Sequence, residues 1–291
     1  MIPPPFEYYA PTTAEEAIGL LQQLGPEAKI LSGGMSLIPL MRLRLAAPRY
    51  LIDINRIAGL ADIKETDGFL RIGALTREAE LESSDLVRSR YPILVETASV
   101  IGDPLVRNRA TVGGNLAHAD PANDHPATML ALAAEVVATG PKGERKIPMT
   151  SFFTSFFATA LDADEVLTEI RIPIPPPQSG GAYVKLERKV GDFATAGVAA
   201  QLTLGRGDVC EQVRIGLTNV GPVPIEAHQA EEVMRGKKVE PEVVRRAAQL
   251  AAEASQPSAD LRGSVEYKRD LVRVLTVRAL NRALERARRG A

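Results

Sequence analysis

The chain has 291 residues, of which 45% are apolar and 24% are charged, and its formal net charge is -1. These values are those of an ordinary globular protein, and they exclude a chain-wide positive field that would attract nucleic acid or an anionic membrane. A chain of this length can bury a large core, and two domains are expected.

Cys210 is the only cysteine. It excludes an internal disulfide, and it excludes an iron–sulfur cluster held by this chain alone, because such clusters usually need four thiolates. The first residues lack a basic segment followed by an apolar one, and no stretch approaches the roughly 18 apolar residues of a membrane span. We therefore expect a cytoplasmic protein with no membrane span and no nucleic-acid partner.

The first segment, residues 6–55, predicts a strand, a helix, a strand, a glycine loop, a helix and a last strand. Thr13 is expected to cap the first helix, since a threonine hydroxyl can accept a hydrogen bond from the first helical turn. The spacing of apolar residues places the helices over 14–24 and 37–45 and the later strands over 28–31 and 50–54.

A glycine pair follows the strand over 28–31, in the run Ser32-Gly33-Gly34-Met35-Ser36-Leu37. Glycine lets the main chain adopt positive φ and lets amide groups approach a ligand with no Cβ in the way. A strand-to-helix turn can also aim the first amides of the helix at an anion. This run is therefore a candidate phosphate-binding loop.

The second segment, residues 56–175, opens with a hairpin signal at Thr66-Asp67-Gly68 between strands over 63–65 and 69–72. Several helices are predicted between residues 77 and 101, then a helix over 126–134 and a strand over 135–139. Residues 101–124 predict a long ordered loop, because the stretch is too polar for a core and too rich in Gly, Asp and Asn for a regular helix. Such loops usually have a function.

That loop contains a second glycine pair, in Thr111-Val112-Gly113-Gly114-Asn115. Hydroxyl and amide side chains surround both pairs, and they can add hydrogen bonds to the same ligand oxygens. We expect the two glycine loops to close on one phosphate-bearing cofactor.

Residues 172–181 are rich first in proline and then in glycine, and they predict the linker between two domains, 1–175 and 176–291. The first domain would have two lobes, about 1–55 and 56–175. In the second domain the pattern predicts an antiparallel three-stranded sheet with helices, an α+β arrangement. Its strands are expected over 183–188, 194–204 and 209–219, and its helices over 225–234, 241–254 and 264–289.

Four motifs in order carry a resemblance to a known family. They are the two glycine runs, Ala119-Asp120-Pro121-Ala122-x-Asp124, and Lys185-x-x-Arg188-Lys189-x-Gly191-Asp192. Over its whole length the chain resembles the FAD-binding medium subunit of the molybdenum hydroxylases, the group that contains carbon monoxide dehydrogenase and the flavin domain of xanthine dehydrogenase. The resemblance implies a two-lobed FAD-binding domain of the PCMH type and a smaller domain that covers the flavin and contacts partner subunits.

The resemblance also implies which residues contact a noncovalent FAD. The two glycine loops would hold the pyrophosphate, and Asp124 would contact the ribose or the flavin side chain. Ile101 stands where the xanthine dehydrogenase branch has an aromatic residue, and Met35 stands where many relatives have His. The implied contacts are Lys29, Ser32, Gly33, Gly34, Met35, Ser36, Leu37, Ile101, Thr111, Gly113, Gly114, Asn115, Asp120, Asp124, Leu167 and Lys185. No catalytic residue and no metal ligand is expected.

The function implied is electron transfer within a complex. Substrate would be oxidised at a molybdopterin cofactor on a large subunit, and electrons would cross two [2Fe-2S] clusters on a small subunit to FAD, which passes them to NAD, a quinone or oxygen. The assembly expected is a dimer of heterotrimers. Lys29 or Lys185 could stabilise the reduced flavin. Two alternatives are a self-contained FAD-dependent oxidase or dehydrogenase and a nucleotide-binding module without turnover. The substrate and the acceptor stay open.

The basic side chains of the last predicted helix permit two interpretations. A charged helix face is most often solvated, and the alternative is a docking surface for another subunit.

Overall fold

Three sheets and the helices packed on them organise the chain in the computed structural model, which describes residues 2–290. The first is a small parallel sheet in the order β1-β3-β2. Its segment consists of β1 (Glu7–Tyr9), α1 (Ala14–Leu24), β2 (Ala28–Leu31), α2 (Leu37–Arg42) and β3 (Tyr50–Asp53). The Thr13 side chain accepts a hydrogen bond from the Glu16 amide, as the sequence predicts for the start of α1.

The second sheet is antiparallel, with strand order β4-β5-β10-β6-β7. Its strands are β4 (Ile63–Thr66), β5 (Phe69–Gly73), β6 (Glu135–Gly140), β7 (Gly143–Pro148) and β10 (Val166–Pro173); β8 (Phe153–Ser155) and β9 (Ala158–Thr159) pair separately. Asp67 and Gly68 both have positive φ, 53° and 80°, which suits the tight hairpin between β4 and β5.

Seven helices belong to this second segment, six of them between β5 and β6. They are α3 (Glu78–Ser83), α4 (Asp85–Arg90), α5 (Pro92–Ser99), α6 (Pro104–Arg107), α7 (Val112–His118), α8 (His125–Ala131) and α9 (Met149–Phe152). None of the helices within residues 2–290 is both long and apolar enough to cross a membrane.

The prediction of a loop over residues 101–124 is wrong in part, because α6 and α7 lie within it. Capping side chains start both helices: Asp103 accepts from the Val106 amide at 2.9 Å, and Thr111 accepts from the Gly114 amide at 3.1 Å. Ala119, in the left-handed region, ends α7. Caps and a buried apolar side therefore outweigh the poor helix propensity of the glycine pair.

The third sheet is antiparallel, in the order β11-β12-β13-β14. Its strands are β11 (Ser179–Glu187), β12 (Ala194–Leu204), β13 (Cys210–Thr218) and the two-residue β14 (Ile225–Glu226), and its helices are α10 (His228–Met234), α11 (Pro241–Ala254) and α12 (Val265–Arg289). The prediction of three strands thus missed β14, whose two residues are too short to give a pattern.

The glycine end of the predicted linker is also different from the expectation. Ser179, Gly180 and Gly181 are buried and begin β11, so only residues 174–178 connect the second and third sheets. A Cβ on Gly180 would overlap the Ala283 carbonyl oxygen of α12, so this glycine serves close packing of strand and helix. The domain boundary near residue 175 stays a prediction.

The third sheet packs firmly on the helices of the second segment. Tyr183 and Ala199 are buried in the same core as α5 and α8. The Glu96 carboxylate of α5 binds Arg286 of α12 at 2.6 Å and accepts from the Tyr183 amide at 2.9 Å. Part of the basic face of α12 is thus used inside the fold.

Substitution of Gly216 in β13 tests this packing, because a Cβ at this position would overlap the backbone of Ala127 in α8. We expect Gly216→Ala to lower the free energy of unfolding by about 1–3 kcal/mol, the usual cost of overpacking. Urea denaturation measures it. The matched control is Gly19→Ala in α1, where a Cβ meets nothing within 4 Å; it should stabilise the protein by about 0.5–1 kcal/mol. Equal stabilities of the two variants would contradict the close approach.

Candidate functional site

A large cavity lies where the first two segments meet, with a volume of about 1080 Å³. Small-molecule sites typically occupy roughly 300–1,000 Å³, so the space suits a long ligand. The loop after β2, the start of α7 and the start of β10 form its walls, and Gly191, Asp192 and Phe193 from the third sheet's β11–β12 loop reach its edge.

The two glycine loops touch one another at this cavity. The Ser32 and Thr111 hydroxyl oxygens lie 3.2 Å apart. A Cβ on Gly33 would overlap the Arg109 carbonyl oxygen and come within 2.9 Å of the Ala110 Cα. The predicted convergence of two loops remote in sequence is therefore confirmed, and Gly33 permits it.

The two loops offer different groups to a ligand. Among the described residues, the amides of Gly33, Gly34 and Met35 donate no hydrogen bond to the protein, and Gly34 has a φ of 75°. The amide of Gly113 donates to Ala74 O at 3.0 Å, and that of Gly114 donates to Thr111. The expectation that both loops present free amides is wrong for the second pair, because Ala74 O and Thr111 Oγ1 accept their hydrogen bonds.

The second glycine pair instead provides space. A Cβ on Gly113 would lie 2.5 Å from the Ala74 Cβ, so this glycine lets α7 approach the end of β5. A Cβ on Gly114 would lie 2.6 Å from Thr111 Oγ1 and 2.7 Å from Ser32 Oγ. A larger residue at position 114 would fill the space beside the Ser32 and Thr111 hydroxyls.

The Asn115 side chain indicates that the ligand of this cavity is polar. Its Oδ1 atom is buried and has no hydrogen-bond partner among the described residues. A buried acceptor without a partner is costly, and a ligand hydroxyl or amide would satisfy it. Free amides, hydroxyls and an unpartnered acceptor in a cavity that also has apolar walls fit a dinucleotide.

A network behind the loops holds them together, and sequence reasoning missed it. Asn55 donates through Nδ2 to Ser32 O at 2.9 Å. The Arg77 guanidinium donates to Asn55 Oδ1 at 2.5 Å and to Arg109 O at 2.6 Å. One side chain thus braces both loops. Burial lowers the pKa of Arg77, and repulsion from Arg109 adds to this.

Asp53 anchors the network. Its carboxylate accepts from the Asn55 amide at 2.9 Å and from the Tyr8 hydroxyl at 2.5 Å. Burial raises the pKa of Asp53, but the hydrogen bonds from Tyr8 and Asn55 outweigh burial and hold the pKa below its ordinary value. These contacts join residues up to 45 positions apart, which a sequence pattern does not display.

A buried charged cluster lies at the other side of the cavity. Asp124 lines the cavity, and its carboxylate accepts from Tyr183 at 2.5 Å and binds Lys185 Nζ at 3.1 Å. Burial raises the pKa of Asp124, and burial together with this carboxylate raises the pKa of Tyr183. The Lys185 ammonium also donates to the carbonyl oxygens of Val100 and Asp192, at 2.8 and 3.0 Å.

Asp120 and Lys185 do not line the cavity. The Asp120 carboxylate accepts from the Ala122 amide at 2.9 Å and shapes the turn before α8. The lysine, whose side chain is 3% exposed, acts through Asp124 and has a second carboxylate, that of Glu187, at 3.1 Å. Its charge is therefore already balanced. All the other residues expected to contact the cofactor line the cavity, and those contacts stay predictions.

Aromatic residues that the sequence did not single out also line the cavity. Phe157 lies beside His118 with ring centroids 5.1 Å apart, and Phe193 lies at the opposite edge. Burial lowers the pKa of His118, which favours the neutral imidazole. The adjacent Phe156 and Phe157 could have indicated this part of the site from the sequence, since exposed aromatic pairs often mark binding surfaces.

The fold and the cavity define a class of protein, one with a dinucleotide-sized site between its first two segments. Residues 4–175 match the family model described as the FAD binding domain in molybdopterin dehydrogenase, and residues 181–283 match the CO dehydrogenase flavoprotein C-terminal domain. The chain belongs to this family: it is the FAD-binding medium subunit of a molybdenum hydroxylase and thus an oxidoreductase subunit. The resemblance seen in the sequence and the α+β fold class are confirmed.

Individual relatives match over nearly their full length. The carbon monoxide dehydrogenase medium chain of Hydrogenophaga pseudoflava is 46% identical over 98% of this chain and 99% of the relative. A 6-hydroxypseudooxynicotine dehydrogenase complex subunit alpha of Paenarthrobacter nicotinovorans is 38% identical over 99% of this chain and 97% of the relative. A solved structure of carbon monoxide dehydrogenase from H. pseudoflava, lacking the Mo-pyranopterin moiety, superposes with a TM-score of 0.96 at 47% identity. The match covers 98% of this chain and 99% of the chain in that structure. These relatives are subunits of larger complexes.

Arg77→Lys tests the brace behind the loops. Lysine lacks the planar fork that reaches Asn55 and Arg109 O together, so we expect the dissociation constant for FAD to rise about tenfold. Flavin fluorescence quenching measures it. Arg273→Lys, in an exposed pair with Asp270, is the control and should bind as the parent does. An unchanged dissociation constant for Arg77→Lys would limit Arg77 to a role in folding.

Tyr8→Phe tests the anchoring of Asp53. A carboxyl group whose pKa is lower in the folded than in the unfolded protein stabilises the folded state at pH values above the unfolded pKa. This stabilisation is lost as the pH falls through the folded pKa. Removing the Tyr8 hydroxyl raises the folded pKa of Asp53, so acid unfolding should begin at a higher pH. Tyr9→Phe, whose hydroxyl binds Glu7 instead, should unfold like the parent. Circular dichroism during acid titration distinguishes them, and coincident curves for Tyr8→Phe and the parent would contradict the anchor.

Proposed function

We propose that this chain holds FAD noncovalently in the cavity and relays electrons from the iron–sulfur clusters of a partner subunit to an external acceptor. The observation that carries the proposal is the direct contact of the two glycine loops at the cavity, with Ser32 Oγ and Thr111 Oγ1 3.2 Å apart. Two loops that touch can act on one diphosphate, and two separate loops could not.

The polar end of the cavity would hold the diphosphate and the sugar. The free amides of Gly33, Gly34 and Met35 are donors suited to phosphate oxygens, and the Ser32 and Thr111 hydroxyls lie beside them. The unpartnered Oδ1 of Asn115 can accept from a ligand hydroxyl. Ser36 and Lys29 also line this part of the cavity, and the lysine would add positive charge.

The apolar side chains of the cavity would hold the ring system. Ile101, Leu167 and Leu37 line the cavity, together with Phe157 and Phe193. These side chains offer aliphatic and aromatic surfaces to a flat ligand and exclude water from it. Gly102, beside Ile101, has a φ of 54°, and its main chain therefore turns without adding bulk.

FAD suits the end of such a relay because it can accept electrons singly and release them as a pair. The residues of this chain bind and orient the cofactor and set the charge around it. Asp124 lies at the cavity wall with its charge balanced by Lys185, so this part of the wall presents a fixed ion pair. No acid–base residue is required for the proposed step.

The partners proposed are a small iron–sulfur subunit and a large molybdopterin subunit, assembled as a dimer of heterotrimers. One cysteine cannot hold an iron–sulfur cluster, so clusters that feed the flavin must belong to another chain. A cytoplasmic location is part of the same proposal. Co-purification of iron–sulfur absorbance with this chain supports the partnership, and native mass spectrometry of the complex tests its stoichiometry.

The substrate is proposed to be selected by the large subunit. The relatives described above are named for carbon monoxide and for 6-hydroxypseudooxynicotine, yet they align with this chain from end to end. A subunit that serves such different oxidations contacts the cofactor and its partners, and not the substrate.

Gly114→Ala tests the proposed FAD site. Alanine suits the helical backbone of α7, but its Cβ would crowd Thr111 and Ser32, so the variant should fold and bind FAD at least tenfold more weakly. Titration with FAD, followed by flavin absorbance, measures this. The control Gly19→Ala adds a methyl group far from the cavity and should leave binding unchanged. A parent protein that is colourless and has no affinity for added FAD would refute the proposed function.

A further inference from the structure

A second cluster of polar side chains lies on the third sheet, outside the FAD cavity. Glu226 ends β14, and His228 and Glu231 lie on the first turn of α10. None of the three lines the cavity. A carboxylate oxygen from each glutamate and an imidazole nitrogen lie within 4.8 Å of one another.

The two carboxylates are held in the same way. One oxygen of each is occupied: Glu226 Oε1 binds Arg214 at 2.5 Å, and Glu231 Oε1 accepts from the Ile215 amide at 2.9 Å. The other oxygen of each faces the imidazole. His228 Nε2 lies 3.9 Å from Glu226 Oε2, and His228 Nδ1 lies 3.5 Å from Glu231 Oε2.

The free oxygen of Glu226 has no partner. The Glu226 side chain is only 5% exposed, and its Oε2 atom is buried without a hydrogen bond among residues 2–290. The Glu231 side chain is 4% exposed. Two buried carboxylates side by side repel one another, and one arginine on the far oxygen of Glu226 balances only part of their charge. A cation bound between the two inner oxygens would balance the rest of this charge.

We propose that Glu226, Glu231 and His228 bind one divalent transition-metal ion of the zinc class. Two carboxylate oxygens and an imidazole nitrogen form a donor set that zinc accepts, with a water in the fourth position. In a tetrahedral site with ligands at about 2.0–2.1 Å, donor atoms lie roughly 3.3 Å apart. One donor atom from each of the three residues lies within 4.8 Å of the others, so the side chains must close and the imidazole must turn one nitrogen toward the ion.

The surroundings match those of metal ligands. Ligating carboxylates are usually oriented by further hydrogen bonds, and Arg214 and the Ile215 amide, both in β13, supply these. The His228 side chain is 70% exposed, so its ring can rotate to place one nitrogen on the ion, and solvent has access. The bound ion would connect the edge strand β14 to α10 and stabilise this part of the third sheet.

Zinc titration of the full-length protein tests the site, with isothermal calorimetry and thermal unfolding as readouts. We expect one equivalent of Zn²⁺ to bind and raise the melting temperature, because a ligand that binds the folded state stabilises it. His228→Ala removes an exposed ligand, so the variant should fold, bind Zn²⁺ at least tenfold more weakly and lose the rise. Glu226→Gln should do the same.

Glu232→Gln is the matched control, since Glu232 is an exposed acidic residue on the same helix that takes no part in the cluster. It should bind Zn²⁺ as the parent does. Saturable binding lost in His228→Ala and kept in Glu232→Gln supports the site. Absence of saturable Zn²⁺ binding by the parent, or equal binding by His228→Ala, would overturn it. These outcomes are independent of FAD binding.

Discussion

The close approach of two main-chain segments at Gly33 is the constraint on which the site depends. The loop after β2 lies against residues 109–110, and a single Cβ on Gly33 would overlap the Arg109 carbonyl. Arg77 holds the two sides of this contact together by donating to Asn55 Oδ1 and Arg109 O. Because contacts within the protein hold the loops together, their free amides and hydroxyls are preorganised, and less conformational entropy is lost on binding.

Much of the fold follows from local signals in the sequence. Thr13 caps α1, Pro241 begins α11 at its first position, and Asp67-Gly68 forms the hairpin, because each of these features depends on neighbouring residues alone. The helix α7 could not be predicted in this way, since its caps and buried contacts outweigh two unfavourable glycines. Gly180 and Gly181 looked flexible, but the structure shows that both are buried, Gly180 against α12 and Gly181 against Gln201 and Ile93.

Only part of the candidate site could likewise be predicted from the sequence. The glycine pairs and their polar neighbours are visible in the sequence, and their shared cofactor suggests that they meet. The sequence does not show that the Gly113 amide is bonded to Ala74 O, nor that Asn55 and Arg77 brace the loops, because these are long-range pairs of common residue types. Lys185 illustrates the limit of a motif: its position is conspicuous, yet its ammonium is bound to Asp124 and two backbone carbonyls behind the cavity wall.

The third sheet contributes one loop to the cavity and is otherwise held by packing. It reaches the cavity through residues 191–193, while its strands pack on α5 and α8, and Arg286 of α12 binds Glu96. These contacts fix the position of the β11–β12 loop at the cavity edge. A change in that loop would therefore alter the cavity edge without disturbing the contact between Ser32 and Thr111, because the two features depend on different segments of the chain.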